Sequence, residues 1–345
     1  MDRNLREPSG PEVVEVISEC SRLLRKFYQT SHDVLIFPGV GSGGLEAAVV
    51  NTCSPGDAVL AVTMGVQGDR FAKAAEVFGV DVRRLSVPRG KAVEPEQLEA
   101  ALDEHGDVSA VLLTYNELST GILNPLTELA PLVKQQGKFL MVDASSALGA
   151  VPIQTDELGL DVVVTQSQPE WGMEPGLVML SVASTAWAVA QRSRLPRYYW
   201  DFGRARYWQE KGVGPYSAAW PLLTALRDGL RRMDEEGLGQ LRVLHEQASR
   251  EAREGAKALG LQLFADERYA SPSGTALRVP TGADSEDLLR RLTAHGDVAI
   301  AGGQAEMAGR VLRIPHLGFD GPERVRKALQ ALADVLQDIP AESTS

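Results

Sequence analysis

The sequence predicts an α/β protein: a mainly parallel seven-stranded sheet with helices on both faces, completed by a smaller C-terminal α+β domain. Three observations predict it. Apolar runs of strand length alternate with helical patterns through the first two thirds of the 345 residues. Several of those runs are apolar at nearly every position, as strands covered on both faces must be. After about Leu195 the alternation gives way to helices and short strands.

The seven candidate strands are "DVLIF" (33–37), "AVLAV" (58–62), "VDVRRLSV" (80–87), "SAVLLTY" (109–115), "KFLMVDA" (138–144), "DVVVT" (161–165) and "LVMLSV" (177–182). Helical stretches lie between them, among them "GLEAAVVNTC", "RFAKAAEVFG" and "EPEQLEAALDEHG". The last carries acidic residues in its first turn, where the helix dipole favours them. Such alternation implies right-handed crossovers. The segment 195–220, "LPRYYWDFGRARYWQEKGVGPYSAAW", is rich in aromatics and arginines, has little period, and reads as a long functional or interfacial loop. Beyond it come the helix "LLTALRDGLRRMDEEG", short strands "TALRV", "VAIAGG" and "VLRI", and the closing helix "PERVRKALQALADVLQDI". The division expected is a large domain over 12–235, a small domain over 236–338 and a disordered tail over 339–345.

A formal net charge of -11 argues against a broad nucleic-acid surface. Cys20 and Cys53 provide neither a disulfide framework nor metal spacing, and the five histidines form no ligand pattern, so no metal is expected. The start "MDRNLREPSGPEVVEVISEC" is charged and lacks an apolar signal core. No apolar run approaches bilayer-spanning length. The expectation is a cytoplasmic protein with no membrane partner.

Gly39-Val40-Gly41-Ser42-Gly43-Gly44 matches G-x-G-x-x-G between a strand and a helix. A dinucleotide site would need an acid at the end of the next strand, which reads "AVTMGVQG" with none before Asp69. A single phosphate held by backbone N–H groups and Ser42 at the helix start suits the residues better. A merely tight strand-to-helix turn is the third reading.

Three further segments stand out: "LTYNELSTGILNPL" (113–126), "LMVDASSALGAVPI" (140–153) and "VVVTQSQPEWGMEPGL" (162–177). With "FPGVGSGGLEAAVVNTCSPGD" they resemble the alanine/serine–glyoxylate branch of the class V aminotransferases, of pyridoxal-phosphate (PLP) fold type I. The resemblance is nearly collinear from about residue 11 to 335 and includes "IAGGQ" and "VLRIPHLG". It implies a homodimer that binds pyridoxal or pyridoxamine phosphate and a small amino acid or keto acid. Asp143 then matches the buried carboxylate that keeps the pyridinium nitrogen protonated; the alternative is a helix-capping aspartate. The phosphate falls to Gly41, Ser42 and Gln168, with Ser217 reaching in from the partner subunit. Arg313 matches the arginine that pairs bidentately with the substrate carboxylate, against a plain surface or interdomain arginine.

Four features depart from the family pattern. Relatives read S-Q-K, whose lysine holds the cofactor covalently and shuttles a proton; this chain reads Ser167-Gln168-Pro169. Gln67 stands where an aromatic stacks on the cofactor ring, and Leu118 where a small polar residue precedes S-T-G. The resemblance also implies an N-terminal arm with a G-P-G-P-like segment, and residue 1 falls close to where that arm ends. Candidates to replace the lysine are weak. Glu170 is one residue out of register and needs a rearranged turn to act as a base, Lys211 sits on the interfacial loop, and His316 looks inherited. The expected function is an atypical or inactive homologue whose cofactor, if bound at all, is non-covalent. It would pair with itself or with an active paralogue, because Ser217 can act only from a second subunit and the loop would otherwise expose Tyr198, Tyr199, Trp200 and Trp208. Two alternatives remain: an active alanine/serine–glyoxylate aminotransferase, and a pyridoxamine-phosphate enzyme using Glu170 as proton carrier.

Overall fold

The computed structural model describes residues 10–212, 217, 219–296 and 298–337. The tail expected over 339–345 lies outside the described residues.

Helix α1 (Pro11–Tyr28) presents Val13, Val16, Ile17, Cys20, Leu23, Leu24 and Phe27 as one buried stripe at three- and four-residue spacing. Three strand–helix units follow: β1 (Asp33–Pro38) with α2 (Gly41–Thr52), β2 (Ala58–Thr63) with α3 (Val66–Val77), and β3 (Asp81–Ser86) with α4 (Pro95–Glu104). Next come β4 (Ala110–Thr114), the small hairpin β5 (Asn116–Glu117) and β6 (Ile122–Leu123), α5 (Leu126–Gln135) and β7 (Phe139–Asp143). Strands β8 (Val162–Gln166) and β9 (Leu177–Val182) complete the large sheet. Helices α6 (Ser184–Ala190), α7 (Phe202–Lys211), α8 (Trp220–Glu236) and α9 (Leu238–Ala258) lead to the last part of the chain. It holds β10 (Gly274–Arg278), α10 (Ser285–Ala294), β11 (Ala301–Gly302), β12 (Val311–Pro315) and α11 (Gly321–Leu336).

The large sheet runs β1-β9-β8-β7-β4-β2-β3. It is parallel from β8 through β3 and antiparallel only where β9 meets β8 and β1. All seven strands fall where the apolar runs predict them. Strand β9 reverses because the connection from β8 is short and carries no crossover helix, which a parallel return requires. The carboxyl ends of β1, β2, β7 and β8 therefore share one edge, where open α/β sheets hold their ligands. The smaller sheet, β10-β12-β11, is antiparallel.

One core joins α1, the large sheet and its flanking helices, and includes Leu241 of α9. A second joins Ala248, Ala252 and Ala256 of α9 to Leu277, Leu312, Ile314, Val325 and Leu332. Helix α9 thus contributes to both. Among the described residues no helix is long and apolar enough to cross a membrane.

The segment 195–220 corrects its reading as a long loop, because α7 lies inside it. Asp201 caps that helix by accepting from the Arg204 N–H at 2.9 Å. Phe202, Ala205 and Trp208, three residues apart, form its buried face. Arginines and Tyr207 between them mask the period in the sequence. Trp208 is only 1% exposed, and Trp200 packs on Phe37 with ring centroids 5.6 Å apart. Two of the four aromatics expected at a partner surface are thus covered, wholly or in part, by the chain itself.

Close packing of α2 on the sheet depends on Gly44. A Cβ there would lie 2.3 Å from Val178 Cγ2 and 2.6 Å from Val164 Cγ1. Gly44→Ala is expected to destabilise the protein by about 1–3 kcal/mol through overpacking. Urea unfolding measures this, and an unchanged midpoint would contradict the contact.

Candidate functional site

Four segments meet at the carboxyl edge of the large sheet: the starts of α2 and α3 and the turns after β7 and β8. Helix α2 begins on glycines, so its first N–H groups are bare to whatever lies over the end of β8. The N–H of Gly41 donates to Gln166 Oε1 at 2.7 Å. Those of Gly43 and Gly44 turn back to the Val40 carbonyl, at 2.8 and 3.2 Å. Ser42 is exposed.

Asp143 closes β7 and is 2% exposed. Its Oδ1 accepts from the Ser145 N–H at 2.9 Å and from the Ser145 hydroxyl at 2.5 Å. Burial pushes its carboxyl above the usual aspartate range, and the Ser145 bonds and the Arg70 charge oppose the rise. Gln168 Nε2 donates to the Ser145 carbonyl at 2.8 Å. Asp143, Ser145 and Gln168 therefore form one bonded polar group, and the Gly41–Gln166 pair adjoins it, since a Cβ at Gly41 would lie 3.3 Å from Ser145 Oγ.

A second carboxylate lies beside it. Glu117 is fully buried, and its Oε2 accepts from the N–H groups of Gln67 and Gly68, both at 3.0 Å. Its Oε1 accepts from the Ser119 N–H at 3.2 Å and the Ser119 hydroxyl at 2.5 Å. It thus supplies the acceptors that the start of α3 lacks. A Cβ at Gly65 would lie 2.2 Å from Glu117 Cδ, so only glycine leaves room for the carboxylate. Burial raises the Glu117 pKa; hydrogen bonds from Ser119 and Gly68 lower it, and the Asp143 charge adds to the rise. Sequence reasoning missed this residue. Its signal was an acid inside the otherwise apolar and small-residue run "NELSTGIL".

Gln67 spans the gap between the two carboxylate-bearing turns. Its Oε1 accepts from the Leu118 N–H at 2.7 Å, and its Nε2 donates to Ser146 Oγ at 3.4 Å. The Leu118 side chain turns away to the small sheet, where a Cβ at Gly274 would lie 2.2 Å from it. Arg313, on β12, donates from Nε to the Gly302 carbonyl at 2.9 Å. Burial lowers its pKa, the Glu117 charge opposes this, and Arg70 reinforces it. Arg313 and Arg70 therefore share a field with Glu117 and Asp143.

The turn after β8 is held from below. Pro169–Trp171 form a single 3-10 turn with Pro169 exposed. Trp171 is buried, edge-on to Phe319 at 5.1 Å and tilted on His245 at 5.3 Å. His245 Nε2 accepts from the Gly318 N–H at 3.0 Å, while Nδ1 lies 2.6 Å from the Leu241 carbonyl; donation there fixes the neutral tautomer. Gly318 must be glycine, because a Cβ would lie 2.1 Å from the Glu170 carbonyl oxygen.

The other sequence-predicted residues lie elsewhere. Glu170 Oε1 faces Arg324 Nη1 of α11 at 3.9 Å and lines a cleft of about 510 Å³ with Arg232, Phe319 and Lys327. Neither Asp143 nor Gln168 lines that cleft, so it is separate from the polar group around Asp143. His316 is fully buried, 3.0 Å from the Thr275 hydroxyl, and burial pulls its pKa down to about 3. Ser217 is exposed, and Lys211 is exposed at the end of α7.

A model of the family "Aminotransferase class-V" matches residues 8–187. The chain belongs to the class V aminotransferase family. It is 35% identical to a "Soluble hydrogenase, small subunit" from Synechococcus over 95% of this chain and 86% of that one. It is 32% identical to an "L-aspartate–glyoxylate aminotransferase" from Paracoccus denitrificans, over 84% of this chain and 74% of the relative. Among solved structures, an alanine–glyoxylate aminotransferase from Nostoc matches with a TM-score of 0.92 and 31% identity, covering 96% of this chain and 90% of that one. The fold is that of the PLP-dependent aminotransferases, so the dinucleotide reading of the glycine loop falls away.

Class V aminotransferases normally bind pyridoxal or pyridoxamine phosphate. Here Asp143 and Arg313 are in place, but part of what would hold the phosphate is engaged within the chain. The Gly41 N–H and the Gln168 amide, expected to hold a phosphate, are both engaged within the chain. Gln67 provides an amide where a ring would stack.

Asp143 offers a pH test. Its raised pKa means the protonated form favours the fold. That stability is complete below the unfolded value of 3.8 and is lost as pH rises through the folded value. Asparagine can accept the same two Ser145 bonds without ionising. Asp143→Asn is expected to lose less stability than the parent as pH rises above 3.8. Parallel stability–pH curves from urea unfolding would contradict the raised carboxyl.

Proposed function

We propose that this chain is an atypical class V aminotransferase homologue that does not perform ordinary transamination. One observation carries the reading: no lysine amine joins the polar group around Asp143 among the described residues. By the family pattern the lysine belongs at Pro169, which has no side-chain amine and no N–H. Lys26, Lys73, Lys91, Lys134, Lys257 and Lys327 pair with carboxylates. Lys138 donates to the Gly106 carbonyl, and Lys211 ends α7 beside the Gly10–Gly212 contact. Without the amine there is no covalent grip on an aldehyde cofactor and no base to move its proton. Loss of a general acid–base group alone costs about 10²–10⁴-fold in rate.

The retained features support a binding role. Asp143 and Arg313 suit a pyridine nitrogen and a small carboxylate ligand, an amino acid or keto acid, with any pyridoxal or pyridoxamine phosphate held non-covalently. The names of the glyoxylate aminotransferase relatives support the competing reading of an active transaminase. Engagement of Glu170 with Arg324 weighs against the version in which Glu170 carries the proton.

Borohydride treatment of the purified chain in the presence of PLP, followed by peptide mass mapping, tests the proposal. The expected result is no pyridoxyl–lysine peptide and no keto-acid-dependent turnover of alanine, serine or aspartate with glyoxylate. A stoichiometric pyridoxyl–lysine adduct would overturn it.

A second copy of the chain, or an active paralogue, is the partner we propose. Exposure of Tyr198 at 63% and Tyr207 at 55%, together with Ser217 facing outward, supports such a surface. Light scattering at micromolar concentration is expected to give twice the chain mass; a clean monomer, with no paralogue bound, would contradict it.

A further inference from the structure

We infer that Gln166 is a built-in occupant of the anion cradle at the start of α2, and that it weakens the binding of a phosphorylated ligand there. The inference rests on the preceding reading only in assigning that cradle to a phosphate. The placement is written into the strand. Val164 is in register with Asp143, and its Cγ1 reaches towards α2, 2.6 Å from a Cβ at Gly44. Side chains alternate along a strand, so Gln166, two residues on, faces the same helix one turn nearer its start.

There the amide oxygen accepts from the Gly41 N–H at 2.7 Å. A Cβ at Gly41 would lie 2.6 Å from that oxygen and 3.3 Å from Ser145 Oγ. Glycine at 41 thus lets two side chains close over the helix end. The neighbouring donors are partly spoken for as well: the Ser145 hydroxyl by Asp143 and one N–H of the Gln168 amide by the Ser145 carbonyl. A phosphate arriving at Gly41 would have to displace the Gln166 oxygen, because both are acceptors that need the same N–H. The Ser42 N–H has no acceptor among the described residues, so the cradle keeps one free donor beside the occupied one.

An amide is a displaceable occupant. It is neutral, whereas an oxyanion makes shorter and stronger charge-assisted bonds to the same N–H and gains more from the helix dipole. The device therefore weakens anion binding rather than abolishing it. A carboxylate in the same place would compete on equal terms and repel a phosphate in addition.

The test compares the full chain with Gln166→Ala and Gln166→Glu. PLP is titrated by absorbance, and inorganic phosphate is added in thermal-shift experiments. Gln166→Ala is expected to bind PLP about tenfold tighter than the parent, equivalent to about 1.4 kcal/mol, and to show a larger phosphate-induced shift. Gln166→Glu is expected to move both quantities the other way. A residue with only a structural role would not move affinity in opposite senses. Equal affinities for the three proteins, or no binding by Gln166→Ala, would overturn the inference. Either result leaves the proposal of a lysine-free site standing, and a trapped pyridoxyl–lysine adduct would overturn that proposal without equalising the three affinities.

Discussion

Every α-helix that starts at the carboxyl edge of a sheet delivers unpaired N–H groups to that edge, and something must accept from them. In this protein the two helices whose starts frame the candidate site meet that demand from within. Gln166 answers for α2 and Glu117 for α3. The rest of the site follows from those two acceptors. Glycine is required at 41 and 65 because the acceptors stand where a side chain would, and Ser145, Gln168 and Gln67 are drawn into bonds with their neighbours.

The two acceptors differ in charge, and so in consequence. Glu117 is a carboxylate with no exposure, retained by four donors; its burial raises its pKa, and its field is felt at Arg313. A buried charge held this way is tied to its place, since moving it would leave backbone donors and the charge itself uncompensated. Gln166 is neutral and only partly buried, so it is held by far less. The start of α3 is therefore tied to a buried carboxylate by four donors, while the start of α2 rests on one bond to a partly buried amide.

The turn that carries Pro169 belongs to a different set of forces. Trp171 wedges it between His245 and Phe319, and the Gly318 backbone presses on Glu170. Glu170 is drawn towards Arg324 on α11. Position 169 thus lies on a packed support shared by α9 and the segment before α11.

Most of the fold was legible in the sequence. Strands buried on both faces must be apolar throughout, and the seven runs from "DVLIF" to "LVMLSV" announce themselves for that reason. Helix α7 was hidden, because its buried face is only Phe202, Ala205 and Trp208, set among arginines that mimic loop composition. Of the site, the motif residues Gly41, Asp143, Gln168 and Arg313 were visible as types in order, and so was the proline at 169. The roles of Glu117 and Gln166 were not. Which donor a buried oxygen accepts from depends on the approach of segments far apart in the chain: 125 residues separate Gly41 from Gln166, and about fifty separate Glu117 from the start of α3. The sequence by itself determined the strands, the family and the proline at 169, because those rest on local pattern and residue chemistry. Only the tertiary structure decided that Gln166 and Glu117 accept from the starts of α2 and α3, because hydrogen bonds between distant segments exist only once the sheet has brought their ends together.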